Sequence, residues 1–197
     1  PFNIEKDISL YPTTIVNLLG INGNFEDANT LQSGWIILNT TNSKITGIFG
    51  TKAQKFVSTS TYGEHYIHYN MHSFAVTGHK YFFCMSVKNV TSSARLFMWY
   101  RNSAGDYIRS ASYSNVFNNT NYTKMCGTLE VLSLQSTPLL DCIILILKTD
   151  GTLSYEGTNE EINIDGAMVV DLTNMGDLPV PLRRFFNNTS YTTWASL

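Results

Sequence analysis

Apolar residues along this chain recur at every second position in many short runs, and a helical period is almost absent. Between Tyr62 and Phe74 one set holds Tyr62, Glu64, Tyr66, His68, Asn70 and His72, and the other holds His65, Ile67, Tyr69 and Met71. That is the alternation of a half-buried strand. From Lys80 to Lys88 the set Tyr81, Phe83, Met85 and Val87 alternates with Lys80, Phe82, Cys84, Ser86 and Lys88. Thr77-Gly78-His79 stands before this run as a turn, so the pattern predicts a hairpin between the two strands. Arg95 to Arg101 splits into Leu96, Met98 and Tyr100 against Arg95, Phe97, Trp99 and Arg101. Asn102-Ser103-Ala104-Gly105-Asp106 then reads as a turn into a strand over Tyr107 to Tyr113, a second hairpin.

Cys142 to Leu147 is apolar on both faces and belongs in the middle of a sheet, ended by the turn Thr149-Asp150-Gly151-Thr152. Glu161 to Leu172, Ile8 to Leu18 and Trp35 to Leu38 complete the strand patterns, the last two separated by the polar segment Asn22 to Ser33. Many short strands with no helix between them argue for an all-β antiparallel sandwich or barrel. One helical turn is expected near the end, where Pro179 and Pro181 precede Leu182, Phe185 and Phe186. The simplest partition is one domain over residues 1–177 and a short extension over 178–197 packing back on it.

Composition narrows the partners. The 197 residues carry 13 basic and 15 acidic side chains, a net charge of -2, and no concentration of Lys and Arg of the kind a nucleic-acid groove needs. The longest apolar stretch, Leu139 to Leu147, is interrupted by Asp141 and is too short to cross a bilayer. The chain opens on Pro1 with no basic-then-apolar leader, which reads as a processed product or an excised piece of something longer. Ser and Thr make up roughly a fifth of the residues and Asn roughly a tenth, so the polar surface is hydroxyl and amide more than charge. Cys84, Cys126 and Cys142 cannot all pair within the chain and show no CxxC spacing. They read as buried free thiols, which favours synthesis in a reducing compartment, whatever the final destination.

Two local signatures go beyond periodicity. Asn17-Leu18-Leu19 with Asn22-Gly23-Asn24-Phe25-Glu26, followed by Trp35, is similar to the opening of jelly-roll carbohydrate-binding modules of the family four and nine type. Ile164-Asp165-Gly166-Ala167-Met168-Val169-Val170-Asp171-Leu172-Thr173 resembles the closing strand of such modules in bacteriophage tail proteins, and Gly78-His79-Lys80-Tyr81-Phe82-Phe83 fits the same pattern. The resemblance implies a single jelly-roll β-sandwich of two antiparallel sheets, a setting on a virion tail or fibre, and trimeric assembly. It also implies a structural calcium between the N-terminal turn and the last strand, with Glu26, Asp27 and Asp165 at the matching positions. Without a metal, Glu26 and Asp27 would cap a turn.

Other constellations are weaker. Four histidines fall between His65 and His79, but on a strand His68 and His72 lie about 13 Å apart at about 3.3 Å per residue, and His65 points the other way. That spacing is too long for one zinc ion, so these read as solvated strand histidines. No GxSxG elbow is present, and the cysteines lie in or beside strand patterns that bury them. Glu64, Asp106, Glu130 and Asp141 are the carboxylates available for glycosidase chemistry, which needs a defined separation between two of them.

Aromatic residues carry the sharper expectation. A sugar ring offers an apolar face of C–H groups and a rim of hydroxyls, and its site wants flat rings beside planar hydrogen-bonding groups. Tyr66 with His68, Trp99 between Arg95 and Arg101, and Tyr107 just past the turn supply that chemistry. Two assignments fit the alternation: Trp99 with its arginines on a free face, or Trp99 and Phe97 in the core. The first leads to a non-catalytic binding domain of a bacteriophage tail or fibre protein that attaches to host cell-surface glycans, repeated in an oligomer to raise avidity. A ligand-free structural or oligomerisation domain and a polysaccharide hydrolase are the alternatives.

Overall fold

A computed structural model describes residues 17–59, 62–112, 119–132, 140–148, 151–152 and 159–173. Its ten strands are β1 Trp35–Leu38, β2 Thr40–Thr46, β3 Lys52–Ser58, β4 His65–Asn70, β5 Lys80–Asn89, β6 Ser93–Arg101, β7 Tyr107–Ser112, β8 Thr123–Glu130, β9 Leu140–Leu147 and β10 Glu161–Asp171. They form two five-stranded sheets, β1-β4-β9-β6-β7 and β2-β3-β10-β5-β8, in which every recorded pairing is antiparallel. This is the jelly-roll sandwich. No described helix is long and apolar enough to cross a membrane.

The alternation read from the sequence is the alternation of burial on β4, whereas β5 is buried on both faces from Tyr81 to Val87. On β4, His65, Ile67 and Tyr69 are buried while Tyr66 and His68 are half-buried and Asn70 is exposed. On β6, Leu96 and Met98 join Ile67, Phe83, Met85, Ile144 and Ile164 in the core between the sheets. Each such side chain, fully withdrawn from water, contributes about 1.5–3 kcal/mol. The run from Cys142 lies in β9, the central strand of the first sheet, with Ile144 and Ile146 in the main core and Ile143 and Leu147 buried on the opposite face. The hairpin through Asn102–Asp106 joins β6 to β7 as expected, with Gly105 N donating to Asn102 O at 3.0 Å.

The expected hairpin between the His65 and Lys80 runs does not form. β4 pairs with β1 and β9 in the first sheet, whereas β5 pairs with β10 and β8 in the second. The intervening segment is too long for a tight turn and carries the chain from one sheet to the other. Its single 3-10 turn, His72–Phe74, is tied to β5 by the Tyr81 hydroxyl, which donates to Phe74 O at 2.7 Å and accepts from Val76 N at 3.0 Å.

The cysteine expectation is also corrected. Cys84 and Cys126 form a disulfide. They are 42 residues apart in sequence but direct register partners on β5 and β8, a closeness that sheet pairing alone creates. The inference to a reducing compartment therefore loses its premise of three free thiols. β2, β3 and β8 carry no clear alternation: β2 is an edge strand of mostly polar residues, and β3 buries Gln54 fully by bonding its amide to Thr30 O, Asn42 Oδ1 and Ser43 O.

The two signatures meet. Asn17 reaches β10 with both ends of its amide, Nδ2 donating to Ala167 O at 3.1 Å and Oδ1 accepting from Val169 N at 3.0 Å, and Leu18 N donates to Val169 O at 2.8 Å. Phe25 packs on Trp35 at 5.2 Å between ring centroids, and the Trp35 indole donates to Asn22 O at 2.9 Å. The helical turn expected at 179–186, the boundary at 177 and most of the strand expected from Ile8 lie outside the described residues.

Candidate functional site

The first sheet carries a second apolar layer on the face turned away from the core. Phe97, Ile143 and Leu147 are buried there, with Tyr66 and Trp99 packed against them. Trp99 is thus neither a core residue nor a lone surface ring: it sits half-buried on an outer platform, while Trp35 is sealed in the core. The alternation left these two assignments open for Trp99, and it lies on the outer face of the sheet beside the buried Phe97.

Strand register sets the platform in rows. Tyr66, Leu145 and Arg95 align across β4, β9 and β6, with Leu38 of β1 beside Tyr66. His68, Ile143 and Phe97 form the next row, bordered by Ile36, and Asn70, Asp141 and Trp99 the third. Successive rows lie about 6.6 Å apart along the strands. Arg101 follows Trp99 on the same face of β6; on β7, Arg109 is the register partner of Trp99 and Tyr107 that of Arg101. Four of the six residues expected to contact a ligand, Tyr66, His68, Arg95 and Trp99, therefore share three adjacent rows, with Arg101 and the strand position of Tyr107 at one end. Tyr66 and His68 meet edge to face at 5.6 Å. Ile36 and Leu38 are 46% and 41% exposed, extending the apolar surface to the sheet edge.

Sequence reasoning missed the polar centre of this face. β4 ends at Asn70 and the chain turns at once, so His72 leaves the strand line and comes back over the sheet. His68 Nδ1 and His72 Nε2 lie 3.6 Å and 3.7 Å from the same oxygen, Asp141 Oδ1. The strand extrapolation that separated these histidines fails because the strand stops. Of the others, His65 is fully buried with Nε2 3.0 Å from Thr59 O, and the half-buried His79 has Nδ1 2.6 Å from Asp171 Oδ2. Burial pushes the His72 imidazole below its ordinary range, against the pull of Asp141 and with a small push from His68. Among the described residues no three His, Cys, Asp or Glu side chains converge as a metal cluster.

The carboxylates considered for hydrolysis are dispersed. Asp141 is the one acidic residue in the five strands of the first sheet; Glu130 ends β8 in the second sheet, and Asp106 lies in the β6–β7 turn. Glu64 precedes β4, where its carbonyl accepts from Asn39 Nδ2 at 3.0 Å.

Glu26, Asp27 and Asp165 lie away from this face, around the N-terminal turn and β10. Glu26 accepts from the Thr51 hydroxyl at 2.6 Å and from the amides of Thr51 and Lys52 at 2.8 Å each, and the Thr51 hydroxyl bond is the main cause that holds its carboxyl below the usual range. Asp165 Oδ2 accepts from the amides of Ile48 and Phe49 at 2.7 and 3.0 Å, so Glu26 and Asp165 grip the same loop from two sides. Asp165 is fully buried; burial pushes its carboxyl up, and Oδ1 has no hydrogen bond of ordinary geometry. Asp27 is turned to Lys44, whose ammonium lies 3.3 Å from Asp27 Oδ1 and donates to Phe25 O at 2.8 Å. A cavity of about 270 Å³ opens nearby against Gly23, Phe49, Gly166 and Met168, and its lining is largely apolar.

No family model matches the sequence, and no curated protein does. Solved structures match in fold. The CBM22-1 xylan-binding domain from Paenibacillus barcinonensis Xyn10C superposes with a TM-score of 0.56 at 12% identity, over 76% of this chain and 92% of that one. A carbohydrate-binding module described under CBM4 structure and function gives 0.51 at 10% identity, over 72% and 96%. The enzymatically active domain of tailspike protein 4 from bacteriophage CBA120 gives 0.51 at 11% identity, over 77% of this chain and 21% of that one. At these identities the likeness is one of architecture, and the architecture is the jelly roll of carbohydrate-binding modules.

Proposed function

We propose that this protein is a non-catalytic carbohydrate-binding domain and that the outer face of the first sheet is its binding surface. The observation that carries the reading is the Trp99–Phe97–Tyr66 layer: Tyr66 and Trp99 held half-buried beside a buried Phe97 on the outer sheet face, interleaved with Arg95, Arg101, His68 and Asn70. Rings stack on sugar C–H faces, while guanidinium, imidazole and amide groups bond the hydroxyl rim. The ring edges are fixed by packing on Ile143 and Leu147, so little side-chain entropy is lost on binding. The fold shared with a xylan-binding domain supports the same reading.

The finer reading is attachment to host surface glycans from a bacteriophage tail or fibre, on the virion and in trimeric repetition. The jelly-roll likeness to a tailspike domain supports that setting. Weak single sites repeated in an oligomer gain avidity without new contacts.

Calcium belongs to the reading as a structural ion. Asp165, with a buried unbonded oxygen, and Glu26, close enough to raise the Asp165 carboxyl, would hold a hard cation completed by backbone oxygens. Asp27, committed to Lys44, would stand outside it. The ion would neutralise two carboxylates that grip one loop.

Retention of the protein on a panel of insoluble and soluble polysaccharides tests the function. Trp99→Ala and Tyr66→Ala should each weaken retention roughly tenfold or more while far-UV circular dichroism stays unchanged. Retention that both variants leave intact would overturn the site; product release from any polymer would overturn the non-catalytic assignment.

A further inference from the structure

We propose that the platform selects polysaccharides bearing carboxylate groups and that the Arg95 guanidinium takes the carboxylate; the proposal rests on the outer face of the first sheet being a saccharide surface. Charge is divided unevenly over the sandwich. Every arginine among the described residues, Arg95, Arg101 and Arg109, lies on β6 or β7, whereas the strand lysines, from Lys44 on β2 to Lys124 on β8, all belong to the second sheet. The strands of the first sheet add His65 and His68 and a single acid, Asp141, in a chain whose net charge is -2. Arginine differs from lysine in its planar fork, which matches the two oxygens of a carboxylate.

Arg95 is placed to use that fork. It is half-buried, flanked by Phe97 on its own strand and aligned with Tyr66 across β9. Its Nε is withdrawn from water without a hydrogen-bond partner, and Arg95 makes no ion pair among the described residues. A partly desolvated guanidinium with no anion among the described residues is under-bonded, and the carboxylate of an acidic sugar stacked on the neighbouring rings would pair its charge. Asp141 does not serve: it is four residues along β9 from Leu145, the partner of Arg95, about 13 Å away, beside the imidazoles of His68 and His72. A neutral sugar would fill the rings and offer the guanidinium hydroxyls alone, with no charge to pair.

Affinity electrophoresis of the full chain tests this, through polygalacturonate, alginate and hyaluronan, each beside its carboxyl-reduced form, with dextran sulfate as a third arm. We expect roughly tenfold or greater preference for at least one carboxylated polymer over its reduced counterpart. Arg95→Gln should abolish that preference by weakening binding to the carboxylated polymer far more than to its reduced form, and Arg95→Lys should restore only part of it. Equal, Trp99-dependent binding to carboxylated and reduced forms would overturn the selectivity and keep the platform. No Trp99-dependent binding to any polymer would remove both. Retention on dextran sulfate that matches the carboxylated polymers and ignores Arg95→Gln would show diffuse attraction and overturn the role of Arg95. Should Arg95→Gln melt early, Arg95→Lys carries the comparison, and full preference in that variant overturns the fork.

Discussion

Trp99 of β6 and Asp141 of β9 are register partners on the outer face of the first sheet, and the carboxylate beside the indole has two imidazoles within 3.7 Å of one oxygen. Ring platform and imidazole–carboxylate cluster are therefore one surface. Because burial lowers the His72 imidazole below its value in the unfolded chain, the unfolded chain takes up a proton that the fold resists. Stability from this group is full above the ordinary histidine range, falls as pH drops through it, and levels off below the folded value. Thermal unfolding followed from pH 8 to pH 5 should show a loss in the native protein that is smaller in His72→Gln. Equal losses in both would contradict the assignment.

Gly23 is fixed by space. A Cβ there would stand 2.1 Å from Ala167 O, a backbone atom of β10 that cannot swing away. Gly23→Ala should destabilise by about 1–3 kcal/mol through overpacking, read as a lower denaturation midpoint with unchanged slope. A neutral result would mean the turn is free to move off β10.

Asp165 binds the amides of Ile48 and Phe49 from a fully buried position. Asp165→Ala should cost about 1–3 kcal/mol by stranding those donors, and Asp165→Asn less, since one oxygen remains to accept. Calcium should raise the melting temperature of the native protein and not of Asp165→Asn. A calcium response that survives the substitution would move the ion elsewhere.

The Cys84–Cys126 bridge closes a segment with a sequence separation of 42. Cross-linking a loop of that length stabilises by about 2–4 kcal/mol, chiefly through the unfolded chain. Cys84→Ala with Cys126→Ala should lower stability by that amount, and a reductant should do nothing further to the double variant. Thiol titration of the unfolded native protein should find one free cysteine.

The architecture was legible because β4 alternates strictly and Ala94, Leu96 and Met98 recur at every second position of β6, and such spacing is a local property. What escaped was everything that depends on partners distant in sequence. Cys84 meets Cys126 only once β5 lies beside β8, and His72 meets Asp141 only because β4 stops at Asn70. β2 could not be read because its inward lysine, Lys44, is satisfied by Phe25 and Asp27, a contact no hydrophobic pattern announces. Of the candidate ligand residues, Tyr66, His68, Arg95, Trp99 and Arg101 come to one face through their shared parity on two strands. Asp141 was hidden inside an apolar run.

The covalent bridge, the Asn17 clamp and the loop gripped by Glu26 and Asp165 all brace the second sheet. The outer side of the first sheet bears none of this burden. Its half-buried side chains, Tyr66, Arg95 and Trp99 among them, can be exchanged by drift or in a display library without touching any of these braces, so one sandwich can carry successive surfaces on that side while its frame stays constant.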